Sequence, residues 1–192
     1  MKKRKNVLLI AGIALAAMAL PASASAAVWQ HEGKELKTKV NFSLTGGEFI
    51  EVSGAVMLCE STATMTTEGG STAQITAYDV KEATCIGLAG KLEGCEVTAA
   101  TPKGLSWGVS VNTSDLTAKE VAISYTFNGA CEIDKIETNF PSLTLTPEEP
   151  KAIRLFHFNQ EGKAKVDGKE TALVYSGSLS LPEKDFDTYG IG

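Results

Sequence analysis

Between Val121 and Ile133 the large apolar residues Val121, Ile123, Tyr125 and Phe127 alternate with the small residues Ala122, Ser124 and Thr126. A strict period of two places one set of side chains in a core and the other in water, so this stretch reads as a β-strand with one buried face. Asn128-Gly129 follows and suits a turn or bulge that brings Cys131 and Ile133 back towards the core. Nothing in the stretch is chemically reactive.

The same alternation recurs along most of the chain. Leu36, Thr38, Val40, Phe42 and Leu44 share one parity, Gly46-Gly47 reads as a break, and Glu48–Val52 resumes in extended form. Ala55–Thr67 alternates again with a run of threonines, β-branched residues that suit a pleated surface. Glu68-Gly69-Gly70-Ser71 predicts a hairpin turn leading into Thr72–Cys85, and Leu105, Trp107, Val109 and Val111 predict a strand that pairs with the organising one. Pro141–Thr146 and Ala152–Phe158 supply two more. Lys163–Val166, the turn Asp167-Gly168 and Thr171–Leu181 predict a closing hairpin. About ten short strands with no amphipathic helix between them predict an all-β domain, either an antiparallel β-sandwich of jelly-roll or Ig-like type or, as the alternative, a closed β-barrel.

At the start of the chain Lys2, Lys3, Arg4 and Lys5 precede an apolar run from Val7 to Leu20, then Pro21 and the small residues Ala22–Ala27. A basic head, a short apolar segment and an A-x-A site make a secretory signal peptide. The expected organisation is a signal over residues 1–26 and a single β-domain over 27–192. The leader holds four of the 18 basic residues and none of the 23 acidic ones, so the exported part carries 14 basic against 23 acidic residues. That balance argues against nucleic acid and, once the signal is cleaved, against anionic membrane surfaces.

All four cysteines, Cys59, Cys85, Cys95 and Cys131, fall in the exported part and read as two disulfides. The Gly-rich stretch between Cys85 and Cys95 looks like a loop joining neighbouring strands. It suggests pairing Cys85 with Cys95 and Cys59 with Cys131. No C-x-x-C spacing points to zinc, and Asp185, Asp187 and Gly190 lack the later ligands of a calcium loop, so neither a metal nor a cofactor is expected.

Catalytic patterns are equally sparse, and no residue is assigned a catalytic role. His31 and His157 are the two histidines, and no G-x-S-x-G motif accompanies them. Glu132 and Asp134 share a strand face, as solvated carboxylates do. Among the aromatics, Trp107, Tyr125 and Tyr175 sit on apolar faces, leaving Trp29 and Tyr78 as the freer candidates for binding a glycan ring.

The signal peptide, the Thr-rich strand after Cys59, the Cys85–Cys95 loop, the Gly104-Leu105-Ser106-Trp107 stretch and Asn128-Gly129-Ala130-Cys131 resemble a group of small exported β-proteins of Gram-positive bacteria. The resemblance implies a compact disulfide-braced β-domain and carries over no catalytic residue. The expectation is a secreted, non-enzymatic domain with a binding or structural role at the cell envelope or in the extracellular space, its partner an extracellular protein or glycan. The alternative is a secreted hydrolase acting on polysaccharide or peptide, which requires convergent carboxylates or His157 beside a serine.

Overall fold

A computed structural model describes residues 27–128 and 131–192. The expected signal peptide, and Gly129 with Ala130 of the expected turn, lie outside the described residues. Within them the chain is all-β, with 13 strands and three single 3-10 turns. In chain order the strands are β1 (Trp29–His31), β2 (Lys34–Glu35), β3 (Val40–Val52), β4 (Ala55–Thr67), β5 (Thr72–Val80), β6 (Ile86–Ala89), β7 (Val97–Lys103), β8 (Trp107–Val111), β9 (Leu116–Phe127), β10 (Lys135–Pro147), β11 (Leu155–Val166), β12 (Lys169–Ser180) and β13 (Tyr189–Ile191).

The main sheet runs β10-β11-β12-β3-β4-β5-β8-β9, and β9 pairs back onto β10, which closes the ring. All its neighbours are antiparallel, and apart from the β12–β3 closure each is the next ring strand along the chain. The closed barrel offered as the alternative, rather than two separately edged sheets, is therefore the arrangement these pairings describe. β6 and β7 leave the ring between β5 and β8: β6 pairs with the start of β4, and β7 with the end of β9. Glu120 lets β9 serve both β8 and β7. Its positive φ of 57° breaks the alternation of the strand, so that Ala118 and Val121 both face inward on either side of it.

Parity fills the interior. Phe42, Leu44, Ile50 and Val52 from β3 meet Met57, Cys59, Ala63 and Met65 from β4, and Val109, Ile123, Phe140, Phe156 and Leu173 are buried on the other strands of the ring. An eight-stranded ring encloses just enough space for such side chains. One end is covered by the small sheet β13-β1-β2, where Trp29 stacks on Phe42 at 5.0 Å and Tyr189 meets the same ring edge-on at 4.8 Å. The buried side chains of Leu92, Val97 and Ile133 lie towards the other end, where the chain enters and leaves β7, β9 and β10.

Two local expectations are corrected. Gly46-Gly47 does not break the strand: β3 runs through both, because they allow close approach to β12, and a Cβ on Gly46 would collide with the Ser178 carbonyl. The disulfides also connect differently. Cys59 joins Cys85 and Cys95 joins Cys131, with Cα–Cα distances of 4.1 and 5.7 Å. The β4–β6 pairing explains this, since Leu58 is in register with Ile86 and brings the adjoining cysteines together. The Gly90–Leu92 turn then carries Cys95 across to the end of β9. The closing hairpin forms as expected, with Asp167 and Gly168 both at positive φ in its two-residue turn.

Candidate functional site

The barrel interior contains a carboxylate. Glu48 shares the parity of Leu44 and Ile50, so β3 aims it inward, and it is fully buried. Its Oε1 accepts the Tyr125 phenol at 2.6 Å, and its Oε2 accepts Tyr175 at 2.8 Å and Tyr78 as well. The Tyr78 and Tyr175 hydroxyls lie 3.0 Å apart. Gly177 stands directly opposite Glu48 in register, where any side chain would run into Phe158 and the Gly47 carbonyl. Phe140 and Phe158 flank the Tyr175 ring, with centroids 5.1 and 5.0 Å away. Burial raises the Glu48 pKa above its ordinary value against the opposing pull of the three phenol donors. The same burial, with the nearby Glu48 charge, pushes all three phenols well above their usual range. Four polar side chains satisfying one another on four strands form a structural lock.

Trp29 and Tyr78 are therefore not the freer aromatics. Trp29 is 1% exposed beneath the end sheet and Tyr78 is 8% exposed beside Glu48, so neither presents a ring face to solvent. Trp107, Tyr125 and Tyr175 are buried, as their parity predicts. Glu132 and Asp134 are exposed just before β10, whereas His157 stands on the outer face of β11 opposite Thr146, at the far end of β10. Ser178 is the cross-strand neighbour of His157, but the structure does not bring the two carboxylates to that pair. Asp187 clamps Arg154 through two hydrogen bonds of 2.7 and 2.5 Å.

The outer surface carries a feature that the sequence reading did not single out. Phe49 on β3 is in register with Leu58 on β4, and Leu58 with Ile86 on β6. All three point outward, and Leu88 extends the row along β6. Leu58, Ile86 and Leu88 are 42%, 56% and 48% exposed, while Phe49 is half-buried. These are four large apolar side chains on one contiguous face, where isolated exposed residues would be unremarkable. Cys59 and Cys85 each adjoin a member of the row, so their disulfide fastens β4 to β6 directly beneath it. Beside the stripe lies a groove of about 690 Å³ floored by Gly46 and Gly47 and edged by Thr45, Leu58, Ile86 and Ser180. The signal was present in the sequence, because Leu58, Ile86 and Leu88 have the parity opposite to the buried Met57, Cys59, Cys85 and Gly87.

Comparisons with protein-family models, with curated proteins and with solved structures returned no match, so the functional reading rests on this geometry.

Proposed function

We propose that this chain is an exported, non-enzymatic β-barrel domain of the bacterial cell envelope or extracellular space that binds a partner protein through the Phe49–Leu58–Ile86–Leu88 stripe. The observation that carries this reading is the stripe itself, with three large aliphatic side chains 42% or more exposed on two strands that a disulfide ties together. Keeping such residues in water is a standing cost that binding relieves. A surface fixed by a disulfide loses little further entropy on docking. Its three most exposed members are aliphatic and offer a sugar neither a stacking face nor a hydrogen-bond partner, and its one ring, Phe49, is half-buried, so the stripe suits an apolar protein surface better than a glycan. Two disulfides are compatible with an oxidising extracellular location.

The test is co-sedimentation of the oxidised protein with producer-cell envelopes and with insoluble polysaccharides, with the supernatant assayed for released sugar. Retention on envelopes that Leu58→Glu with Ile86→Glu abolishes supports the proposal. Retention unchanged in that variant contradicts it, and sugar release moves the weight to a hydrolase.

A further inference from the structure

On the far side of the barrel the charge balance reverses. Within the ring, β10 stands four strands from β4 in either direction, so the outer face of β10 points away from the apolar stripe. There Lys103 on β7, Lys135 on β10, and Lys163 and Lys165 on β11 surround two carboxylates, Glu137 and Glu170. This is a basic patch on a chain whose residues 27–192 are predominantly acidic.

The patch has a shape as well as a sign. Lys103 is in register with Ala122, and Ala122 with Asn139. The Thr138–Ala164 pairing sets Lys163 on the other side of Asn139. Short side chains thus form a floor between two long cationic walls, enclosing a trough of about 400 Å³, within the range of small-ligand clefts. Glu137 is shared by Lys103 at 2.6 Å and Lys135 at 2.9 Å, and these two ammonium groups hold its pKa down to about 2. One carboxylate between two ammoniums leaves a positive charge uncompensated. Glu170 is engaged by Lys163 at 2.6 Å, and Lys165 makes no ion pair among the described residues. The trough is therefore cationic on balance, Lys103, Lys163 and Lys165 against Glu137 and Glu170, and the Asn139 amide adds a neutral hydrogen-bonding group.

We propose that this trough binds an anionic polymer, one carrying phosphate or carboxylate groups at intervals along its chain, so that the domain joins a protein on its β4 side to a polyanion on its β10 side. Complementary charge selects the ligand: fixed lysines recognise repeated anions, and the acidic excess over the rest of residues 27–192 disfavours the same polymer elsewhere. This site is independent of the apolar stripe, since the two share no residue.

Affinity electrophoresis of the oxidised protein at low ionic strength tests it, through gels containing inorganic polyphosphate, polygalacturonate or neutral dextran. Retardation by polyphosphate or polygalacturonate but not by dextran is expected, and which of the two acts identifies the anion. Lys163→Gln with Lys165→Gln should weaken retardation about tenfold, while Lys37→Gln with Lys39→Gln should not. Glu137→Gln, which frees two ammonium groups, should strengthen it, while Glu60→Gln on β4 should leave it unchanged. Absence of retardation in both charged gels, or equal losses from the two lysine pairs, would overturn the proposal. Neither result bears on retention through the apolar stripe.

Discussion

The Tyr125 phenol donates to Glu48 across the barrel at 2.6 Å, joining β9 to β3, strands that lie on different sides of the ring. With Tyr78 and Tyr175 on the same carboxylate, four strands converge on one buried group. Truncation by Glu48→Ala removes the acceptor that three buried phenols share and opens a cavity, and the Tyr78–Tyr175 contact at 3.0 Å replaces only part of what is lost. An unsatisfied buried donor costs about 1 to 3 kcal/mol, so the expected loss is more than about 3 kcal/mol of unfolding free energy. Tyr125→Phe removes one donor and leaves the carboxylate two others, for a loss of about 1 to 2 kcal/mol. Urea unfolding followed by circular dichroism measures both, and a Glu48→Ala loss no larger than that of Tyr125→Phe would refute the lock.

The pH dependence has a definite sign. Burial raises the Glu48 pKa above its ordinary 4.5, so the folded barrel holds the proton more tightly than the unfolded chain does. The contribution of Glu48 to stability is complete below its unfolded pKa and is lost as pH rises through the folded value. Glu48→Gln, which cannot ionise, should flatten that decline as pH rises from 4.5 towards neutrality. Parallel unfolding curves for the two proteins across this window would contradict it.

The phenols make a second titration. Burial holds Tyr78, Tyr125 and Tyr175 well above their ordinary pKa of 10. Their neutral forms are favoured by folding, so this contribution persists below the unfolded pKa and fails as pH rises beyond it. Tyrosinate absorbance from these three residues should emerge together with the loss of near-ultraviolet dichroism at alkaline pH. Its appearance in a still-folded protein would show that the cluster is open to solvent.

Disulfide connectivity is readable by mass. Lys81, Lys91, Lys103, Lys119 and Lys135 separate all four cysteines into different tryptic peptides. A non-reduced digest should join Val40–Lys81 to Glu82–Lys91, and Leu92–Lys103 to Glu120–Lys135, as the Cys59–Cys85 and Cys95–Cys131 bridges require. Removing either bridge by paired Cys→Ala substitution should cost about 2 to 4 kcal/mol.

Much of this architecture is visible in the alternation of the chain. The parity of Val121 to Phe127, the threonine strand β4, and the Asp167-Gly168 hairpin all appear where the pattern puts them. Parity does not count sheets, however, and ring closure by β9 on β10 is a long-range pairing that a local pattern cannot express. Gly46 and Gly47 misled because a glycine pair reads as a breaker unless the close approach of β12 is known. The disulfides misled in a related way, since the Cys85–Cys95 loop looks self-contained until β6 is seen to dock on β4. Glu48 was legible in principle, opening an extended stretch with the parity of Leu44 and Ile50, but a carboxylate is not expected inside a core until its phenol partners on three other strands are known. The apolar stripe needed three strands in register, and only the fold supplies that.

The most direct test of the binding-domain account is side-chain footprinting by hydroxyl radicals, comparing the oxidised protein free and bound to producer-cell envelopes. The account predicts that Leu58, Ile86 and Leu88 lose reactivity on binding, from the exposed state they hold in the free barrel. Envelope-bound protein in which those three side chains stay as reactive as in solution would contradict it.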